Sequence, residues 1–140
     1  MSARGKARKQ ALDFLYESDI RGVGASDLLR SRKNLKEVES ERPIREYAEE
    51  LVIGVSLNQR KIDELIATYS QGWDMDRLAT VDRNILRLAI YEIVYCDDIA
   101  DGIAIDEALL LAKDLSSEDS STFIHGVLGK ISAIKESIAR

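Results

Sequence analysis

The chain has 140 residues, of which 45% are apolar, so it can bury one core of ordinary domain size. One proline and eight glycines argue against collagen-like, disordered and turn-dense all-β architectures. One cysteine allows no internal disulfide, which fits a reducing cytoplasm. No apolar run is long enough for a signal peptide or a membrane span, so we expect a cytoplasmic protein without a membrane partner.

The net charge of −5 conceals a basic segment, residues 1–9, at the start of the chain. This basic segment contains Arg4, Lys6, Arg8 and Lys9. It carries +4, while residues 10–140, with 16 basic and 25 acidic side chains, carry −9. A net negative charge alone would argue against a polyanionic partner, but charge that is sorted along the chain does not.

The first half of the chain predicts three helices. Apolar residues at helical spacing predict the first over residues 3–20, ended by the glycines that follow. A cap at Ser26 would begin a shorter second helix, and residues 37–42 would form a polar loop. Pro43 suits the first turn of the third helix. That helix continues for about seven turns, or divides in two near residues 54–58.

The second half predicts a short helical turn over residues 74–78 and then three helices. Thr80 would cap the first of these, which is the most apolar element and is expected at the centre of the core. Residues 97–101 read as an acidic loop before the next helix. The last helix would begin at Ser116 or Ser117 and reach Ile138.

Alternation typical of strands is missing almost everywhere, and residues 102–105 are the one strand candidate. We therefore predict an all-α fold, a single compact bundle of about six or seven helices that forms one domain over residues 1–140.

Common catalytic devices need residue types that are scarce in this chain. His125 is the only histidine, which excludes HExxH and the Glu-x-x-His pairs of di-iron bundles. No G-x-S-x-G nucleophile elbow occurs either. Adjacent carboxylates such as Asp97 and Asp98 point about 100° apart on a helix and are typical of solvated faces. We predict a binding protein, not an enzyme, with no cofactor and no metal.

The basic segment is a candidate for phosphate binding. Arg4 and Arg8 share a helix face at i, i+4, and Lys6 and Lys9 flank them. Such an array can neutralise phosphates and release counterions. The alternative is an ordinary solubilising tail.

Two aromatic residues could supply base contacts. Tyr16 lies two helical turns after Lys9, near the basic stripe, and Phe123 lies at the margin of the buried face of the last helix. Such residues stack on unpaired bases; the alternative is that both cover the edge of the core. Arg83 and Arg87 share a face of the central helix, and their simplest interpretation is a surface pair.

With these residues assembled, the chain resembles the NusB transcription antitermination factor family. Four separated segments in order carry the resemblance. They are Trp73-Asp74-Met75-Asp76-Arg77-Leu78, Val81-Asp82-Arg83-Asn84-Ile85-Leu86-Arg87-Leu88-Ala89-Ile90-Tyr91-Glu92, Asp106-Glu107-Ala108 through Leu111-Ala112-Lys113, and Phe123-Ile124-His125-Gly126-Val127-Leu128.

The resemblance implies an all-helical, non-enzymatic RNA-binding factor. Family members pair with the ribosomal protein NusE and together hold the boxA element of nascent RNA, in rRNA operons especially, so that RNA polymerase resists termination. A related fold is an appendage of rRNA methyltransferases, but no cofactor-binding domain follows residue 140, so we expect no such activity.

The resemblance also implies roles for single residues. The family's arginine-rich RNA-binding segment corresponds to Arg4, Lys6, Arg8 and Lys9. Further RNA contacts correspond to Tyr16, Arg87, Asp119 and Phe123. Asp82 matches a position on the surface that faces NusE.

Two positions depart from the family pattern. Asp106 and His125 both stand where the family often has Asn. Asp106 can cap its helix equally well. His125 keeps a hydrogen-bonding side chain of different reach, so a specific contact there is in doubt.

The RNA-binding adaptor has two alternatives. In the main hypothesis, the acidic remainder docks a basic ribosomal protein while the basic segment holds RNA. The alternative is a helical protein-interaction adaptor without direct RNA binding. Self-association into a homodimer through the basic helix would hide the RNA surface.

Overall fold

The computed structural model describes residues 1–39, 43–71 and 75–140. Across these ranges it contains six α-helices, two 3-10 turns and no strand, which confirms the all-α prediction. The helices are α1 (Ala3–Arg21), α2 (Ala25–Glu39), α3 (Glu46–Tyr69), α4 (Thr80–Tyr95), α5 (Asp101–Leu115) and α6 (Glu118–Ile134). The 3-10 turns are Met75–Arg77 and Lys135–Ser137. Within the described ranges, every helix is too short or too polar to cross a membrane.

The chain divides into two compact units, Met1–Leu57 and Asn58–Arg140. In the first unit, α1 begins where the Ser2 hydroxyl accepts a hydrogen bond from the Gly5 amide at 3.0 Å. It ends at Gly22, whose φ of 67° is the left-handed conformation that glycine adopts without steric cost. Helices α1 and α2 pack together. The buried apolar residues of this unit are Ala7, Ala11, Leu12, Leu15, Ala25, Leu28, Leu29, Ala48, Leu51, Val52 and Val55.

The boundaries of α2 differ from the prediction. The helix begins at Ala25, and the Leu28 amide donates to the Gly24 carbonyl at 3.0 Å, so Ser26 lies inside the helix and is not its cap. The helix then continues to Glu39, through the first part of the predicted loop, because Lys36, Glu37 and Glu39 are good helix formers. Residues 40–42 of that loop lie outside the described ranges.

Pro43 was predicted in the first turn of α3, but the helix begins at Glu46, so Pro43 precedes it. The Gln10 side-chain amide holds this connection: its Nε2 donates to the Pro43 carbonyl at 3.1 Å, and its Oε1 accepts from the Arg45 amide at 3.0 Å. Helix α3 runs unbroken for 24 residues, so the single-helix alternative is confirmed.

In the second unit, α4 packs against both α5 and α6. The central position predicted for α4 is therefore confirmed. Its fully buried side chains include Ile85, Leu86, Ile90 and Ile93. The facing helices contribute Ala104, Ala108, Leu111, Ala112, Ile124, Val127, Leu128 and Ile131.

Several helix ends in this unit differ from the prediction. Ala79 occupies the cap position of α4 without a side-chain bond, so Thr80 is the first helical residue and not the cap. Helix α5 includes Asp101 and the strand candidate 102–105, because Ala104 is buried at helical spacing from Ala108.

The cap of α6 is Ser117, whose hydroxyl accepts from the Ser120 amide at 3.1 Å. This hydrogen bond decides between the two predicted caps, Ser116 and Ser117. Helix α6 ends at Ile134, and a 3-10 turn follows, so the helix does not reach Ile138. The turn predicted over residues 74–78 is present at Met75–Arg77, and its first residue lies outside the described ranges, as do Gly72 and Trp73.

Candidate nucleic-acid interface

The basic segment forms the start of α1 and is not a flexible tail. Arg4 and Lys6 are exposed, and Lys9 is half-buried with its Nζ 2.7 Å from Asp13 Oδ1. Arg8 differs from the other three because only 3% of it is exposed. The charge that this segment presents to solvent therefore comes chiefly from Arg4 and Lys6.

One aromatic ring holds both arginines of the segment. The Arg4 guanidinium lies 4.9 Å from the centroid of the Tyr47 ring, and that of Arg8 lies 5.8 Å from it. Both distances lie within the range of cation–π attraction. The predicted i, i+4 face of Arg4 and Arg8 is thus directed onto α3, and a direct RNA contact by Arg8 would require its side chain to move.

Tyr16 lies farther along α1, and 43% of it is exposed. The ring is therefore accessible to solvent, and its stacking on an unpaired base stays a prediction. All five residues of the first unit that were predicted to contact RNA therefore lie on α1: Arg4, Lys6, Arg8, Lys9 and Tyr16.

Next to the basic segment, the first unit has a groove of about 740 Å³, which we call the α1 groove. Its lining includes Lys6, Lys9, Gln10 and Asp13 of α1 together with Pro43, Ile44 and Arg45. Arg45 lies outside every motif and candidate site predicted from the sequence. It stands 35 residues from Gln10 along the chain, and no periodicity or motif signals that contact.

In the second unit, three predicted site residues line one cavity of about 200 Å³: Asp82, Asp119 and Phe123. The helices α4 and α6 supply them. Phe123 is half-buried, as predicted for the margin of the α6 core face, and Asp119 is exposed. Predicted RNA contacts and a predicted partner contact thus share one cavity.

Asp82 is a buried carboxylate, with 6% of the residue exposed. Its Oδ2 accepts a hydrogen bond from Ser120 Oγ at 2.6 Å. Its Oδ1 is buried and accepts no hydrogen bond from the described part of the chain. Asp82 lines the same cavity that Asp119 and Phe123 border.

Arg87 is not part of an exposed surface pair, which corrects the simplest sequence interpretation. It is 8% exposed, and its Nε and Nη2 donate to the two carboxylate oxygens of Asp63 at 2.8 and 3.0 Å. Its Nη1 donates to Asn84 Oδ1 at 3.0 Å. Arg83 is half-buried and donates from Nη1 to the Met75 carbonyl at 2.8 Å. The ion pair with Asp63 therefore already compensates the charge of Arg87.

The two family departures have different surroundings. Asp106 was expected to cap its helix. It lies inside α5, five residues after the start of the helix, so that expectation is wrong. His125 is exposed on α6 and lines a shallow groove of about 500 Å³ with Lys113 and Leu109 of α5. In the described ranges, no group of three or more His, Cys, Asp or Glu side chains is arranged to hold a metal ion.

Comparison with known proteins agrees with the fold and with the motifs. The model of the NusB family matches residues 5–133. The transcription antitermination protein NusB of Arthrobacter sp. (strain FB24) is 46% identical over 138 residues, which is 99% of this chain and 98% of that relative.

Two solved structures are similar throughout. The structure of T. maritima NusB is 31% identical, with a TM-score of 0.80, and the match covers 98% of this chain and 99% of that one. A NusB chain in a complex of the antitermination factors NusB and NusE with double-stranded RNA is 29% identical, with a TM-score of 0.78 over 93% and 96% of the two chains. The family match and the identity of the relative over nearly their whole lengths show that this chain belongs to the NusB family of transcription antitermination proteins.

Proposed function

We propose that this chain binds boxA-type single-stranded RNA together with ribosomal protein NusE, and so supports processive transcription of rRNA operons. The observation that carries the proposal is the basic segment, ordered as the first turns of α1 with Arg4 and Lys6 exposed. Ordered cations at fixed spacing suit the phosphates of a nucleic-acid strand. The similar NusB chain in a complex with NusE and double-stranded RNA supports both partners.

The predicted site residues divide the work between the two units. On α1, Arg4, Lys6 and Lys9 supply charge, the buried Arg8 contacts the same Tyr47 ring as Arg4, and Tyr16 offers an exposed ring. On α6, Phe123 offers a second ring, and the Asp119 carboxylate suits a base-edge donor because it would repel phosphate. Asp82 accepts a hydrogen-bond donor of NusE. Arg87 stabilises the residues around it through its ion pair with Asp63.

The function is binding, without catalysis or cofactor, in the cytoplasm. The chain acts on the RNA polymerase complex indirectly, through the RNA and NusE that it holds. A protein-interaction adaptor without direct RNA binding is the weaker candidate, since it gives the exposed cations of α1 no role. A homodimer formed through α1 would compete with RNA for the same cations.

The test is a titration of labelled boxA RNA with the full chain, with and without NusE, at several salt concentrations. Affinity should fall steeply with salt, and it should rise when NusE is present. Reversal of the charges of Arg4, Lys6 and Lys9 should weaken binding strongly and flatten the salt dependence of the binding that remains. Unchanged binding in that variant would remove the basic segment from the RNA site.

A single-stranded and a double-stranded boxA probe, compared in the same assay, separate the two kinds of RNA. We expect tighter binding of the single strand, because only unpaired bases can stack on Tyr16 and Phe123. Light scattering on the same samples would show whether a homodimer exists and whether RNA dissociates it.

A further inference from the structure

The α1 groove has charged groups from two separate parts of the chain. Lys6 and Lys9 line it from α1, and Arg45 lines it from the connection that precedes α3. Lys9 is paired with Asp13. The side chains of Lys6 and Arg45 form no ion pair with any other described residue, and both residues are exposed. Two exposed cations without an ion-pair partner in the described part of the chain therefore border this groove.

The position of Arg45 is fixed by Gln10. Its backbone amide donates to Gln10 Oε1 at 3.0 Å, while Gln10 Nε2 donates to the Pro43 carbonyl at 3.1 Å. The Glu49 amide in turn donates to the Arg45 carbonyl at 3.1 Å, as the first turn of α3 forms. The backbone of Arg45 is therefore bonded on both sides, which lowers the entropy cost of ordering its side chain on a ligand.

The chemistry of the groove favours a phosphodiester. A guanidinium presents a planar fork of donors that matches phosphate oxygens, and an ammonium adds a point charge. The half-buried Ile44 and the exposed Pro43 also line the groove, and they offer apolar contact to the ribose rings. Lys6 lines the α1 groove and also belongs to the basic segment, so the groove adjoins that segment.

We propose that the α1 groove binds the phosphodiester backbone of an RNA strand, with Arg45 as a phosphate ligand outside the basic segment and Gln10 as the residue that positions it. The inference rests on the proposed function, because it extends the path of the same RNA. The strand passes from the basic segment, across Lys6, to Arg45.

Arg45→Gln in the full chain is the direct test, with labelled boxA RNA titrated at several salt concentrations. Loss of one phosphate contact should reduce the slope of log affinity against log salt by about 0.7 and weaken binding several-fold. Arg45→Lys should keep the slope, because it keeps the charge. Arg60→Gln is the matched control: Arg60 is exposed on α3, borders no part of the α1 groove, and forms no ion pair with a described residue.

Gln10→Leu tests the positioning role. Both of its hydrogen bonds are lost, so affinity should fall about as far as in Arg45→Gln, and the double variant should bind no more weakly than Arg45→Gln alone. Full additivity would overturn the role of Gln10. Thermal unfolding of each variant separates a folding defect from a binding defect.

The outcomes distinguish the two proposals. A wild-type chain that binds no RNA in any arm overturns the proposed function itself. Wild-type binding with an unchanged salt slope in Arg45→Gln overturns only the α1 groove. If Arg45→Gln weakens the affinity for NusE and leaves the RNA slope unchanged, the groove binds protein and the inference is wrong.

Discussion

Tyr47 contacts both arginines of the basic segment. Its ring lies under the guanidinium groups of Arg4 and Arg8, with centroid distances of 4.9 and 5.8 Å. We expect Tyr47→Leu to cost about 1 kcal/mol of cation–π attraction, which corresponds to about fivefold in RNA affinity. The loss arises because leucine offers the Arg4 guanidinium no aromatic face.

The conservative variant makes this prediction specific to the ring. Tyr47→Phe keeps the aromatic face and should retain the RNA affinity of the wild type, measured by fluorescence anisotropy. Equal loss in the Leu and Phe variants would show that the hydroxyl matters and the ring does not. Unfolding of both variants in urea identifies any part of the loss that comes from stability.

Ser120 donates a hydrogen bond to one of the two oxygens of the buried Asp82 carboxylate. Its hydroxyl donates to Asp82 Oδ2 at 2.6 Å, and Asp82 is almost fully buried. We expect Ser120→Ala to lower the free energy of unfolding by about 2 kcal/mol, because a hydrogen bond to a charged group is lost and the carboxylate stays buried. Urea unfolding at neutral pH measures the change.

Ser121→Ala is the matched control for that prediction. Ser121 occupies the next position of α6, and within the described ranges its hydroxyl makes one long contact of 3.5 Å, to the Ser117 carbonyl. Its replacement should change the unfolding free energy by less than about 0.5 kcal/mol. Equal effects at the two positions would mean that the bond to Asp82 contributes nothing.

At the scale of the helices, Glu17 links α1 to α2. Its carboxylate accepts from Arg21 Nη1 on its own helix at 2.7 Å and from Arg32 Nη2 on α2 at 2.6 Å. The Arg21 hydrogen bond, joined by that of Arg32 and opposed by partial desolvation, lowers the pKa of this carboxyl below its ordinary value. The pair of bonds contributes to the packing of α1 on α2.

The lowered pKa of Glu17 predicts a pH dependence with a definite sign. Because the folded state favours the ionised carboxyl, the stabilisation is present above the ordinary glutamate pKa and is lost as pH falls through the lowered value. Glu17→Gln should therefore cost about 1 kcal/mol of unfolding free energy at pH 7 and nothing at about pH 2. Glu64→Gln, at an exposed position of α3, should show no such difference. A deficit of Glu17→Gln that persists at low pH would contradict the electrostatic explanation.

Helices were predictable from sequence where periodicity was strong, and their ends were not. The apolar series of α4 identified its place at the centre of the second unit, because burial on several faces leaves that pattern. The predictions for Pro43 and Ser26 were wrong by a few residues. A proline is also common just before a helix, and a serine can also occupy its first turn. The hydrogen bonds of Gln10 to Pro43 and Arg45 are tertiary contacts, and no local pattern records them.

The candidate site was predictable as residue types and less so as environments. Sequence spacing placed Arg4 and Arg8 on one face, and the resemblance supplied Asp82, Arg87 and Asp119. Spacing could not show that Arg8 and Arg87 are buried, because the partners that bury arginine, Tyr47 and Asp63, come from another helix. Arg45 was missed because its contact with Gln10 also joins distant parts of the chain.

For the whole chain, the division of charge follows the two compact units. Residues 1–57 contain 11 basic and 10 acidic side chains, a net +1, whereas residues 58–140 contain 9 and 15, a net −6. Net charges of opposite sign in the two units suit two partners of opposite charge, RNA and a basic ribosomal protein. Charge of this kind accelerates association more than it strengthens the final complex.

Asp106→Asn with Asp114→Asn tests that division. Both carboxylates are exposed on α5 and form no ion pair with a described residue, so their neutralisation should leave the fold unchanged. We expect the association rate with NusE to fall about two- to threefold at low salt and the dissociation rate to stay constant. The difference should vanish at about 1 M salt, where the Debye length is about 3 Å.

The matched variant removes the same charge from the first unit. Glu46→Gln with Glu50→Gln neutralises two exposed carboxylates of α3, so both double variants change the net charge from −5 to −3. If position governs docking, stopped-flow measurements should show slower NusE association for the α5 variant and little change for the α3 variant. Equal slowing of both would mean that net charge alone attracts NusE and that the separation into two charged units has no part in recognition.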